Sequence, residues 1–472
     1  MQLVAYGAQD VYLSANPQIT FFKVVYRRHT NFAMESIEQV FNGAADWNRK
    51  VTATISRNGD LIHRTYLRVQ LPSVTVPGGS VNGVNSFRWV NWVGHAMIKS
   101  VEIEIGGQRI DKHYGDWLHI WNELTQTAGH QIGYANMVGN TPDLTSIYTS
   151  TASASITVPS KILYIPLEFW WNRNPGLALP LIALQYHEVK INVELNPADY
   201  CYWTGDAATG AYSAISQAIF QVPGLYGCSL FVDYIYLDTD ERRRFAQAAH
   251  EYLIEQLQFT GDESTSQTSN KVKLSFNHPT KELIWVVQPT QNTTTSTAKW
   301  GKQWFNYTDA LDNSYSPTFL LNTTDNDANN TVTIGATQTA GGMPGIAAGG
   351  ANGIFIPASF GVGDNPVFEA LLQLNGHDRF SKRDGRYFSL VQPYQHHENV
   401  PSQGINVYSF ALKPEEHQPS GTCNFSRIDT ATLNLILTPA TIANGSANIR
   451  VYAVNYNVLR IMSGMGGLAY SD

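Results

Sequence analysis

The residues with the richest potential chemistry are scattered. His396-His397-Glu398 has the composition of a metal cluster, but adjacent side chains on a strand point to opposite faces, so both histidines share one ion only in a loop. Glu168, Glu188, Asp378 and Glu398 are carboxylates of the kind that work in pairs on glycosidic bonds, and nothing in their spacing brings two of them together. Arg242-Arg243-Arg244 invites a nucleic-acid reading. Asp238, Asp240 and Glu241 precede it, and the chain carries a net charge of −7, so a solvated or ion-paired helix fits better and no direct nucleic-acid contact is expected. The chain has no P-loop, G-x-S-x-G, H-E-x-x-H or C-x-x-C pattern. A two-domain cupin would need a His-x-His pair, and none occurs. The expectation is a protein that is not an enzyme, with no catalytic residues, no bound metal and no cofactor.

Two further groups point to binding. Trp300, Trp304 and Tyr307 lie in a Thr-, Asn- and Gly-rich insert between residues 290 and 365, read as an outward-facing loop. Exposed there, they would stack on sugars; packed under the loop, they would not. Asn292, Asn306, Asn322 and Asn329 open sequons in the same insert, and Asn424 and Asn444 open two more. These are weak candidates for glycosylation, because a sequon normally acts in a secretory lumen, and the start Met1-Gln2-Leu3-Val4-Ala5-Tyr6 has no basic region of a signal peptide. Three widely spaced cysteines, Cys201, Cys228 and Cys423, imply no disulfide framework. A soluble protein made in the cytosol is expected. Phe21, Phe22, Lys23, Arg27 and Arg28 mix aromatic and basic character near the N-terminus. They form an arm that either tucks against its own domain or reaches a neighbouring subunit or an acidic inner surface.

The elements that must position these residues alternate with period two. Val51, Ala53 and Ile55 alternate with Thr52 and Thr54; Val101, Ile103 and Ile105 with Glu102 and Glu104; Val189, Ile191, Val193 and Leu195 with Lys190, Asn192 and Glu194. Such alternation marks half-buried antiparallel strands. Leu163 to Trp170 and Cys228 to Asp238 add two more. One stretch departs: Trp117, Ile120, Trp121 and Leu124 form the apolar stripe of a short helix covering one end of a sandwich.

The pattern then repeats. Ile37-Glu38-Gln39 returns as Ile254-Glu255-Gln256, and Leu67-Arg68-Val69-Gln70-Leu71-Pro72 as Ile284-Trp285-Val286-Val287-Gln288-Pro289. Ile103-Glu104-Ile105-Gly106-Gly107 matches Leu372-Gln373-Leu374-Asn375-Gly376, and the matched pieces keep one order in both halves. The predicted fold is all-β: two tandem jelly-roll β-sandwiches, a double jelly roll, with short connecting helices. The predicted division is an arm at 1–31, a first jelly roll at 32–238, a connector helix at 239–249 capped by Asp238, and a second jelly roll at 250–472.

Several long motifs also resemble one known family. They are Gln2-Leu3-Val4-Ala5-Tyr6-Gly7-Ala8-Gln9-Asp10, Asn172-Arg173-Asn174-Pro175-Gly176, Asn406-Val407-Tyr408-Ser409-Phe410-Ala411-Leu412-Lys413-Pro414-Glu415-Glu416-His417-Gln418-Pro419 and Gly464-Met465-Gly466-Gly467-Leu468. Together they resemble the major capsid proteins of nucleocytoplasmic large DNA viruses, almost end to end; only the 290–365 insert matches nothing. The resemblance implies a homotrimer whose six sandwiches make a nearly hexagonal capsomer of an icosahedral shell. Its implied partners are further copies of itself, neighbouring capsomers, minor capsid proteins and an internal membrane surface. Its implied places are the virion and, during assembly, the host cytoplasm. A tandem carbohydrate-binding sandwich, or a host-glycan attachment protein, is the alternative.

Overall fold

The computed structural model describes residues 4–22, 26–79, 85–151, 153–205, 222–293, 302–310, 363–443 and 445–470. The first half carries eight principal strands: β1 (Phe32–Gln39), β2 (Lys50–Thr54), β3 (Leu61–Leu71), β4 (Ile98–Ile105), β5 (Gln108–Tyr114), β6 (Lys161–Pro166), β7 (Val189–Leu195) and β8 (Gly227–Leu237). They form two antiparallel sheets, in the orders β1-β8-β3-β6 and β2-β7-β4-β5. The second half repeats them as β9 (His250–Phe259), β10 (Ser269–Leu274), β11 (Pro279–Pro289), β12 (Val367–Leu374), β13 (His377–Asp378), β14 (Ile405–Ser409), β15 (Ala431–Leu437) and β16 (Ala447–Met462). Their orders are β9-β16-β11-β14 and β10-β15-β12-β13. Adding eight to each label of the first jelly roll gives the second. A final strand, β17 (Met465–Leu468), turns back along β16.

Local chemistry explains the strands. In β2, Val51 and Ala53 are buried while Thr52 and Thr54 are half-buried, as a sandwich wall requires. The β4–β5 hairpin turns on Gly106 and Gly107, and β12–β13 turns on Asn375 and Gly376. All four have positive φ, the pattern of a type I′ turn, which Gly and Asn tolerate best. The matched motifs are therefore matched turns. Elsewhere the sequence match slips. It sets Leu67 against Ile284, yet Leu67 faces its own sandwich core and Ile284 faces outward. One residue of offset exchanges the two faces of a strand.

Other expectations are corrected. The strand predicted from Leu163 to Trp170 stops at Pro166, and Trp170–Arg173 forms a helical turn. His396 ends a helix rather than lying in a strand. Two helices follow β5: α1 (Gly115–Thr125), which was expected, and α2 (Ala128–Val138), which was not. The connector α3 spans Thr239–Gln247; Asp238 accepts a hydrogen bond from the amide of Thr239, and Arg242 pairs with Asp60 at 3.0 Å. Among the described residues no helix is long and apolar enough to cross a membrane.

Candidate assembly surfaces and the interface between the jelly rolls

The helix α1 grows from the first jelly roll but serves both. Leu118 enters the core of the first sandwich. Trp117, Ile120, Trp121 and Leu124 lie instead on the outer face of the second, against Ile284, Val286, Ile405, Val407, Tyr452 and Val454. This is why ten of the eleven residues of β11 are buried: one face looks into its sandwich and the other lies under α1. The stripe is the one the sequence showed; its partner is the second jelly roll, not an end of the first.

Charged groups pair along the same seam, some of them buried. Arg450 on β16 meets Asp116 of α1 at 2.5 Å and Asp262 at 2.9 Å. Burial pushes the Asp116 carboxyl up, opposed by the Arg450 guanidinium. Arg173 crosses from the first jelly roll to Glu255 on β9 at 2.9 Å, with its guanidinium 3.9 Å from the ring centre of Trp121. Lys281, wholly buried, meets the same Glu255 oxygen at 2.8 Å. Its neighbour Glu282 pairs with His397 at 3.0 Å, and His397 pairs with Glu415 at 2.8 Å. The pairing of β11 with β16 shifts register between Thr280 and Glu282, and a bulge of this kind re-aims side chains. Burial alone would lower the pKa of His397, but the two carboxylates outweigh it and hold it up at about 9. The imidazolium in turn holds Glu282 below the usual carboxylate range against the pull of burial. Removing one partner of such a pair strands a buried charge, so the chain fixes how the strands and the two sandwiches meet.

The residues singled out by sequence fall into three groups. The first is the arm. Every described residue from Val4 to Phe32 is exposed except half-buried Asp10, including Phe21, Phe22, Arg27 and Arg28. Lys23 lies outside the described residues. Where it is described, the arm is not tucked against its own jelly roll.

The second is the insert, whose described part points inward. Tyr307 is 1% exposed and sits in the seam under α1. Half-buried Trp304 stacks on Tyr200 at 3.7 Å and donates its indole N–H to the Tyr200 carbonyl. Phe305 packs 4.4 Å from His119, whose burial lowers its pKa to about 3. Asn292 is fully buried and donates its amide to the carbonyls of Asn306 and Thr308, so a glycan there is incompatible with this fold. Asn306 is half-buried, its amide donating to Gln303 and to the Ala310 carbonyl. Trp300, Asn322 and Asn329 lie outside the described residues. The described part of the insert thus departs from an outward-facing loop: Tyr307 packs in the seam and half-buried Trp304 lies on Tyr200, the packed alternative for both aromatics, while Asn292 is spent on carbonyls of the insert itself.

The third is the scattered chemistry. Glu168 is half-buried beside Arg173, and desolvation raises its pKa. Glu188 pairs with Lys190 at 3.4 Å, Asp378 accepts from Gln373 at 2.7 Å, and exposed Glu398 gives its backbone N–H to Glu415. His396 bonds the Leu412 carbonyl while His397 turns to Glu282 and Glu415, so the two rings part company. Among the described residues no cluster of three or more His, Cys, Asp or Glu is placed to hold a metal ion. Sequence reasoning missed the buried ion chain. The available signal was Lys281-Glu282, two charges inside an otherwise apolar strand.

Comparisons with known proteins agree with this architecture. Residues 20–238 match the family described as major capsid protein N-terminus, and residues 241–467 match that described as large eukaryotic DNA virus major capsid protein. The major capsid protein of Phaeocystis pouchetii virus is 54% identical, over 100% of this chain and 99% of its own. That of Paramecium bursaria Chlorella virus 1 is 42% identical over the same shares. A chain of the solved PBCV-1 virus capsid superposes with a TM-score of 0.68 at 37% identity, covering 96% of this chain and 100% of its own. The Faustovirus major capsid protein, at 14% identity and a TM-score of 0.69, shares the fold over 97% of this chain and 94% of its own. With both sandwiches, their winding and their sequence accounted for, this chain belongs to the major capsid proteins of large eukaryotic DNA viruses.

Proposed function

We propose that three copies of this chain form a pseudo-hexagonal capsomer, and that such capsomers tile an icosahedral shell. The observation that carries the reading is the repeated sheet order, β1-β8-β3-β6 against β9-β16-β11-β14, joined by a seam of aromatic residues and buried ion pairs. Two like sandwiches held rigidly in one chain give six like units in a trimer, which a single-sandwich chain cannot. The role is structural rather than catalytic. The working division remains an arm at 1–31, jelly rolls at 32–238 and 250–472, and the connector between them. The exposed arm, with Phe21, Phe22, Arg27 and Arg28, is the segment that reaches neighbouring capsomers, minor capsid proteins or an internal membrane surface. Assembly takes place in the host cytoplasm and the product resides in the virion. Obligate interfaces of this sort bury upward of about 2,000 Å².

The test is the mass of the purified protein by native mass spectrometry, followed by electron microscopy. Three times the chain mass of 52.4 kDa and a near-hexagonal outline are expected. A stable monomer or dimer refutes the reading. The carbohydrate-binding alternative loses Tyr307, which is buried in the seam, and half of Trp304.

A further inference from the structure

Two histidines are buried where α1, α2 and the stem of the insert, residues 302–310, come together. His95 lies in the helical turn Val93–Ala96 and is 0% exposed; His119 lies on α1 and is 2% exposed. Their rings stand 5.8 Å apart, edge to face. Nε2 of His95 is 2.8 Å from the Tyr134 hydroxyl on α2, and Nε2 of His119 is 3.9 Å from the Glu123 carboxylate. Among the described residues no group hydrogen-bonds the buried Nδ1 atom of either ring. Buried polar atoms left in that condition are uncommon in folded proteins and mark places where stability has been given up.

The cover over the pair is held in unusual backbone conformations. Half-buried Trp92 stacks on His95 at 5.8 Å and meets His119 at 5.3 Å. Its φ of 52° and ψ of 46° are left-handed, which a bulky side chain adopts only where its surroundings impose it. From the stem, half-buried Phe305 packs 4.4 Å from His119 and 6.1 Å from His95. Lys302, the first described residue of that stem, is left-handed too, with φ of 64°.

Neither ring is placed to hold a proton. Burial lowers the pKa of both, that of His119 to about 3 and that of His95 well below the usual 6.5, and in His95 the neighbouring His119 adds to the effect. Glu123 is the one carboxylate within 4 Å among the described residues, and it is a poor counter-ion: burial raises its own pKa, and it also accepts the Ser402 backbone N–H at 3.2 Å. Tyr134, Tyr307 and the more distant Glu168 complete the titratable groups around the pair, and burial pushes all three up towards the neutral form. A histidine whose folded pKa lies below its unfolded one favours the closed state fully above pH 6.5 and progressively less as pH falls.

We propose that His95 and His119 form an acid-operated latch with Trp92 as its lid: on acidification Trp92 swings out, the two rings take up protons, and the stem draws Phe305 away from α1. The same helix carries the seam, since Glu123 holds the Ser402 N–H and the Leu124 carbonyl accepts the Asn399 N–H at 3.0 Å. Acidity is thereby coupled to how firmly α1 grips the second jelly roll. The latch is built within one chain and stands apart from the trimer reading.

Hydrogen exchange of the full chain, read by mass spectrometry at pH 7.5 and pH 5.0, tests it. Each histidine that opens to water gains a preference of about 30-fold for the open state at pH 5.0, from its usual pKa of 6.5. Protection factors over residues 92–97 and 302–310 are therefore expected to fall by about 30-fold or more, while those of β12 and β15 hold. In His95→Gln with His119→Phe, which keeps a polar partner for Tyr134 and a ring against Phe305, the fall should vanish. Trp92→Gly should lower protection of both segments already at pH 7.5. Unchanged wild-type protection at pH 5.0 would overturn the latch. An equal fall in the folded double variant would overturn its assignment to these histidines, and unchanged protection in Trp92→Gly would overturn the lid. Should the double variant unfold, His119→Phe alone is read in the same way, with a fall at least about 30-fold smaller than in the wild type expected if both rings open.

Discussion

Deprotonating His397 probes the buried ion chain directly. Its side chain is wholly buried between Glu282 and Glu415, and its pKa rises from 6.5 to about 9. A base whose folded pKa lies above its unfolded one binds its proton more tightly when folded. The resulting stability is complete below pH 6.5 and is lost as pH climbs through about 9. At about 1.4 kcal/mol per pH unit, that gap is worth about 3 kcal/mol. If the second jelly roll unfolds as a unit, the melting temperature falls by on the order of 10 °C across the window. Arg173, Lys281 and Glu255 flank the site. The assay is scanning calorimetry from pH 6.5 to 9.5 on the wild type and His397→Gln. The variant leaves Glu282 as a buried charge without its imidazolium, at a cost of about 3–5 kcal/mol near neutrality. Its pH slope in this window should be much shallower. Subtracting the two curves removes groups common to both, such as Lys302, whose pKa burial lowers to about 8. Equal slopes in the two proteins would refute the assignment of His397 as a buried cation.

Three other perturbations follow from the same geometry. Trp121→Ala deletes a 5% exposed indole from the seam and the ring beneath Arg173; about 3–5 kcal/mol of stability should be lost, read by denaturant titration. Gly385→Ala puts a Cβ 1.8 Å from the Val367 carbonyl, so the strand start must move; a loss of about 1–3 kcal/mol is expected, and an unchanged midpoint would show the start of the helical turn Tyr387–Val391 is not fixed there. Deleting residues 1–31 removes a segment whose described residues are all exposed except half-buried Asp10, so the melting temperature should hold while shell formation, scored by electron microscopy, fails. Normal shells from the truncated chain would sink the arm's role.

The sequence determined the strands, the turns and the family. Alternation in β2 and β7 needs only a two-faced wall, and the type I′ turns at Gly106-Gly107 and Asn375-Gly376 need only residues that accept positive φ, so both are local and legible. The stripe of α1 was equally plain. What it covers was not, because an amphipathic helix specifies an apolar partner without naming one. Tertiary structure decided the register of the repeat: β11 is buried on both faces, so its sequence carries no alternation to tell Leu283 from Ile284. It also decided the ion chain, because Glu282 and His397 lie far apart along the sequence and meet only when β11 and the start of the segment after the helix Gln392–His396 are packed together. Periodicity records which side of an element avoids water; which distant surface supplies the shelter is set by the fold as a whole.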